Sequence, residues 1–168
     1  MTSQAAFGFL TAIDSPTHGV FGGYLIVDGL GRPLEFHCTA PVKVSRAQQI
    51  LYGPTLTPHL HGQQIGGTLL GEGQVEPVVV LTDSPALMHV RQHTRLPVAL
   101  VEKIEPPGAT DGAGGLVIGG TRVTVTAGST ADEAAATLRE QLESLAGAVD
   151  LCEPFERIRL ALDEAQRS

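Results

Sequence analysis

Residues 78–101 constrain the fold of this chain more than any other segment. Val78-Val79-Val80-Leu81 is a short unbroken apolar run, the composition of a strand buried on both faces. Asp83-Ser84-Pro85 then opens a helical stretch to about His93, with a polar cap ahead of a proline in the first turn. Pro97 to Val101 is a second apolar run. Strand, helix and strand in so short a span make a crossover unit, whose two strands must run parallel.

Three further strands precede this unit. Phe7 to Ile13 is apolar and ends at the turn Asp14-Ser15-Pro16. Val20 to Val27 follows, with Gly22-Gly23 marking a bulge or a close backbone approach. Asp28-Gly29-Leu30-Gly31 reads as a hairpin connection into Leu34 to Ala40. There Leu34, Phe36, Cys38 and Ala40 alternate with Glu35, His37 and Thr39, so the first set is expected on the core face. Together the three strands predict an antiparallel meander. Ser45 with Gln48 is a capping box for a short helix that ends at Gly53-Pro54. Thr57-Pro58 starts a second helix towards Leu70, weakened by Gly66-Gly67.

The fold class expected is therefore α/β, a mixed sheet of meander plus βαβ unit. The order of elements over residues 7–101 is similar to the ribonuclease H-like arrangement, a likeness of topology. Separately, Gly31-Arg32-Pro33-Leu34-Glu35-Phe36-His37-Cys38 through Gln48-Gln49-Ile50-Leu51-Tyr52-Gly53-Pro54 resembles a family of uncharacterised bacterial proteins. That resemblance implies no activity.

The C-terminal third has a different character. Residues 1–105 carry eight acids and six bases, and residues 106–168 carry ten acids and five bases. The segment 106–115, rich in proline and glycine, is expected to be a linker or loop between a core (1–105) and an extension (116–168) packed on it. In that extension, residues 116–125 form a hairpin around Gly119-Gly120. Thr130 and Glu133 cap a helix with Ala131, Ala134, Ala135, Leu138, Leu142 and Leu145 along one stripe. A last helix from Pro154 carries Phe155, Ile158, Leu162 and Ala165.

Composition narrows the function classes. Only 17% of the 168 residues are charged and the formal net charge is −7, a balance that disfavours nucleic acid as partner because phosphate binding needs clustered Lys and Arg. Seven Phe and Tyr residues, with no Trp, leave few stacking platforms for single strands. No stretch reaches the ~18 apolar residues of a membrane span, no cationic leader precedes an apolar run, and two distant cysteines make no disulfide framework. A cytoplasmic location without membrane contact is expected.

Asp14 and Asp83 are the leading candidates for chemistry. Each ends an apolar strand and opens the tripeptide Asp-Ser-Pro. In a ribonuclease H-like sheet the first and fourth strands are neighbours, which would bring both carboxylates to one edge. Such a pair can hold divalent ions for phosphoester hydrolysis. The helical segments from Ser45 to Leu70 carry no acid to complete the set, leaving Glu35 or Glu72 as substitutes. The plainer reading of Asp-Ser-Pro is an Asx turn or helix cap.

His89 and His93, four apart on the predicted helix, could share a metal, but no glutamate follows the first as in a zinc-protease helix. His59 and His61 lie two apart after Pro58, where helical geometry separates them. Glu35 and His37 share a strand face and form either an acid–base pair or the polar side of a half-buried sheet, the face being expected open to solvent. Cys38 is expected in the core.

Without a nucleotide-binding loop, a nucleophile elbow or a C-x-x-C pair, the leading expectation is a non-catalytic protein-interaction or assembly module. It would need no cofactor and would bind a protein partner or self-associate; the alanine-rich helix suits close packing either within the chain or against a second copy, as in a homodimer. The alternative is a divalent-metal-dependent phosphoester hydrolase with Asp14 and Asp83 as ligands.

Overall fold

The computed structural model describes residues 5–104, 115–118, 120–125 and 132–167. Seven strands form one mixed sheet. β1 (Phe7–Ser15), β2 (Gly19–Val27) and β3 (Pro33–Cys38) are the antiparallel meander, and β4 (Val80–Thr82) and β5 (Val98–Lys103) follow. β6 (Gly115–Ile118) and β7 (Thr121–Val125) form the hairpin. The spatial order is β3-β2-β1-β4-β5-β7-β6. β1 pairs parallel with β4, and β4 parallel with β5. The crossover is therefore present, and the five-strand part has the ribonuclease H-like order. β7 joins the other side of β5 antiparallel, so the hairpin continues the same sheet. Residues 106–114 of the expected linker and the Thr130 cap lie outside the described residues.

Side-chain parity divides the core into two layers. Phe7 and Phe9 of β1 point the same way as Val79 and Leu81 and meet α3 (Asp132–Ala148) and α4 (Glu153–Arg167). Leu10, Tyr24, Ile26 and Val80 point the other way, towards Leu60, Ile65, Leu87 and Val90. The layer on that second side starts with α1 (Arg46–Tyr52), whose capping box is formed as predicted. A 3₁₀-turn (Gly53–Thr55), a π-helix (Pro58–Gly67) and α2 (Thr68–Glu72) continue it.

The crossover helix is a 3₁₀-helix, Pro85–His93, rather than the α-helix expected. It lies directly against the π-helix. A Cβ on Gly62 would sit 2.9 Å from the Cβ of His89, and one on Gly66 would sit 2.8 Å from a Val90 methyl. Glycine at these two positions is what lets the backbones come so close.

Gly22 and Gly23 answer the close-approach reading: Ile65 covers one and Ile158 the other, from opposite faces of β2. The register irregularity falls instead at Ile26/Val27. β3 departs from expectation more sharply. Its alternation holds, but Leu34, Phe36 and Cys38 are exposed whereas Glu35 and His37 are half-buried. As the edge strand, β3 extends past the helices covering the apolar side, and the loop after α2 folds over the polar side.

Candidate functional site

The in-register pair Leu10↔Thr82 fixes what the ends of β1 and β4 can bring together. One step on, Thr11 stands beside Asp83, and the Thr11 hydroxyl donates to Asp83 Oδ1 at 2.7 Å. Asp83 has the parity of Val79 and Leu81 and so faces α4, where Arg159 Nη2 donates to its other oxygen, Oδ2. Arg159 Nη1 also donates to Glu156 Oε1 at 3.0 Å. Asp83, Glu156 and Arg159, with Glu102 and Asp150, border a cavity of about 590 Å³.

Asp14 does not join them. It has the parity of Leu10 and lies roughly 10 Å further along β1 at ~3.3 Å per residue, on the opposite face. The expected carboxylate pair is thus not formed. Two-ion phosphoester sites hold their metals about 4 Å apart between shared carboxylates. At this edge the Asp83 carboxylate has both oxygens already hydrogen-bonded, to Thr11 and to a guanidinium. The residues there do not fit a pair of divalent ions. Among the described residues no group of three or more His, Cys, Asp or Glu is arranged to hold a metal.

The histidine pair fails for a helical reason. On a 3₁₀-helix of 3.0 residues per turn, positions four apart diverge by about 120°. His89 accordingly packs half-buried against Gly62, while His93 is exposed at the end of the helix.

Glu35 and His37 do interact, through His37 Nε2 and Glu35 Oε1 at 2.9 Å. The face is not open, however. The backbone amides of Gln74 and Val75 also donate to Glu35, at 3.1 and 2.6 Å. The His37 hydrogen bond first, and then these amides, hold the Glu35 carboxyl below its ordinary range. A carboxylate so fully engaged clamps β3 to the loop after α2.

The other face carries a cleft of about 470 Å³ that sequence reasoning missed, bordered by Asp14, Lys43, Gln49, Thr57, Leu60 and His61. His61 is half-buried, and its Nδ1 is sealed from solvent with no hydrogen-bond partner among the described residues. Burial is the largest influence and pushes its pKa below the ordinary imidazole range; Asp14 pulls the other way, and His89 adds a smaller downward push.

This has a pH consequence. The folded chain holds the His61 proton more weakly than the unfolded chain, so its contribution to stability is complete above about pH 6.5 and is lost as the pH falls below that value. Urea unfolding of wild type and His61→Gln between about pH 5 and 8 should show a steeper acid-side loss for wild type. Identical slopes would mean that the ring is solvated.

The cleft belongs to an unusual charge layer. From residue 36 to 71, and again from 84 to 101, the sequence contains no Asp or Glu. Those stretches hold Lys43, Arg46, Arg91 and Arg95 together with five of the six histidines. Arg32, Arg139, Arg157, Arg159 and Arg167 each pair with a carboxylate. No ion pair joins Lys43, Arg46, Arg91 or Arg95 to a carboxylate among the described residues.

No protein-family model matches the chain, and no curated protein sequence does. Solved structures do. An endonuclease V from Ciona intestinalis, in complex with inosine-containing DNA, is 15% identical with a TM-score of 0.43. That match covers 82% of this chain and 77% of the other. Human ENDOV is 14% identical with a TM-score of 0.40, over 95% and 86% of the two chains. The Argonaute of Marinitoga piezophila with guide RNA is 12% identical, with a TM-score of 0.41 over 82% of this chain. The chain spans 25% of that Argonaute.

Two expectations are corrected here. The reading as a non-catalytic interaction module and the exclusion of nucleic acid both stand against these findings: the similar solved structures include an endonuclease V held with DNA and an Argonaute held with RNA. No described helix is long and apolar enough to cross a membrane.

Proposed function

We propose that this is a nucleic-acid-processing protein of ribonuclease H-like architecture that lays a polynucleotide across the layer of α1, the π-helix and the 3₁₀-helix. The observation that carries the reading is the absence of any Asp or Glu from residues 36–71 and 84–101, beside four cations that form no ion pair with a carboxylate among the described residues. Net charge conceals this segregation. The acids of α3 and α4 lie across the sheet, a helix layer and a sheet away. At a Debye length of about 8 Å in physiological salt, they do little to the field over the opposite face.

The test is a binding titration of full-length protein with labelled oligonucleotides at several salt concentrations. Four phosphate contacts predict a slope of log K against log salt near −3 for single strands, at about 0.7 per phosphate. Lys43→Glu with Arg46→Glu, Arg91→Glu and Arg95→Glu should reduce binding to background. Arg139→Glu with Arg167→Glu, on the acidic side, should leave it unchanged. Absence of binding at low salt to any single- or double-stranded probe would refute the reading.

Phosphoester hydrolysis is the second reading, favoured by His61 and Asp14 facing one cleft within that layer. An imidazole held neutral can take a proton from an attacking water, and a nearby carboxylate stabilises the cation then formed. The same oligonucleotides, resolved on gels with and without chelator, test it. His61→Asn should retain binding and lose cleavage.

A further inference from the structure

Helix α1 has no buried residue. It is held by local chemistry: the Ser45 side chain accepts from the Gln48 amide at 3.1 Å, and Gln48 Oε1 accepts from the Ser45 amide at 2.9 Å. Its C-terminal end nevertheless presents three large side chains in a row, Ile50, Leu51 and Tyr52, at 66%, 84% and 37% exposure. Large apolar side chains left to solvent around the end of so short a helix, with only Tyr52 of the three in a ring contact, mark a place where something else docks.

Three observations bear on the occupant. Lys43 and Arg46 come shortly before the patch in the chain, and the nearest acids in sequence, Glu35 and Glu72, lie outside the stretch that forms it. The Tyr52 ring is held in place by a stack on His59, with ring centroids 4.8 Å apart and planes 18° apart. The Tyr52 hydroxyl also lies 3.4 Å from His59 Nε2. Finally, Gln49, one helical turn before Tyr52, borders the Asp14–His61 cleft, so the patch adjoins it.

Cations beside a fixed aromatic and bare aliphatic carbons match a ligand that is anionic along its backbone and apolar on its flat faces. Duplexes hide those faces in their own stack, whereas single strands offer them to protein rings. We infer that the C-terminal end of α1 is a base-stacking platform for single-stranded nucleic acid. Bases stack against the Tyr52 ring, and phosphates meet Lys43 and Arg46. This rests on the polynucleotide reading above and adds the strandedness of the ligand and the residues that sense it.

The chain's own fluorescence provides the test. It has no tryptophan and two tyrosines, of which Tyr24 is buried, so a ligand-dependent change in emission reports Tyr52. Full-length protein is titrated with single-stranded RNA, single-stranded DNA and the matching duplex, each of about 12 nucleotides. Single strands should quench tyrosine emission and bind more tightly than duplex. Tyr52→Ala should weaken single-strand binding about tenfold, the scale of one lost base stack, while Tyr52→Phe keeps it.

Single-strand binding unchanged in Tyr52→Ala but abolished by Lys43→Glu with Arg46→Glu would overturn the platform and leave the polynucleotide reading standing. Equal affinity for duplex would do the same. A Tyr52 emission change that follows protein concentration alone would assign the patch to a second copy of the chain and overturn the platform. No binding to any of the probes would remove both readings.

Discussion

Phe155→Ala is expected to lower the unfolding free energy by about 3–5 kcal/mol, the range for losing a large aromatic from a packed core. Phe155 is 1% exposed and meets Phe9 edge to face, with ring centroids 5.3 Å apart at 72°. Both rings lie in the layer between α4 and the sheet, with Ile158 and Leu162 continuing the same stripe. Truncation leaves a cavity that a helix held at several points cannot close. Leu160, on the same helix but 69% exposed, is the internal control, and its alanine variant should stay within about 0.5 kcal/mol of wild type. Urea unfolding followed by circular dichroism measures both. Equal effects at the two positions would mean that α4 is not docked as described.

The same helix shows where sequence reading works and where it stops. The 3–4 spacing of Phe155, Ile158 and Leu162 was legible because helical periodicity is local. So were the Ser45–Gln48 box and the βαβ crossover, each written within a few turns of chain. The Asp83–Arg159 pair was not. It joins residues 76 apart, and nothing near either position announces the other.

The failure at Asp14 and Asp83 is instructive. Both were rightly placed at the carboxyl ends of neighbouring strands, but faces are decided by register, and a slip of one residue exchanges them. Leu10↔Thr82 sets Thr11, not Asp14, beside Asp83. The edge strand misled for a related reason. Alternation in β3 showed two faces, but which one is covered depends on how far α4 and the loop after α2 reach. Net charge misled because it sums over a chain whose α3 and α4 acids lie across the sheet from stretches that hold cations and no Asp or Glu.

Gly62→Val is expected to cost about 1–3 kcal/mol, the range for overpacking, even though glycine in a helix is itself a weak choice. A Cβ at residue 62 would stand 2.9 Å from the Cβ of His89 and 3.1 Å from its carbonyl carbon, so a backbone would have to move to relieve the contact. Gly71 in α2 has nothing within 4 Å of an added Cβ. There the ordinary helix preference should prevail, and Gly71→Ala should stabilise by up to about 1 kcal/mol. Opposite signs at two helical glycines nine positions apart separate close packing from propensity. The π-helix carries His61 on the residue before Gly62, so forcing it from the 3₁₀-helix should also open that ring to water and return its titration towards the ordinary imidazole range. Thermal melts measure the first effect, and imidazole resonances followed by NMR across pH measure the second. A Gly62→Val protein as stable as wild type, with His61 still titrating low, would show that the two helices are not pressed together and that His61 owes its neutrality to something else.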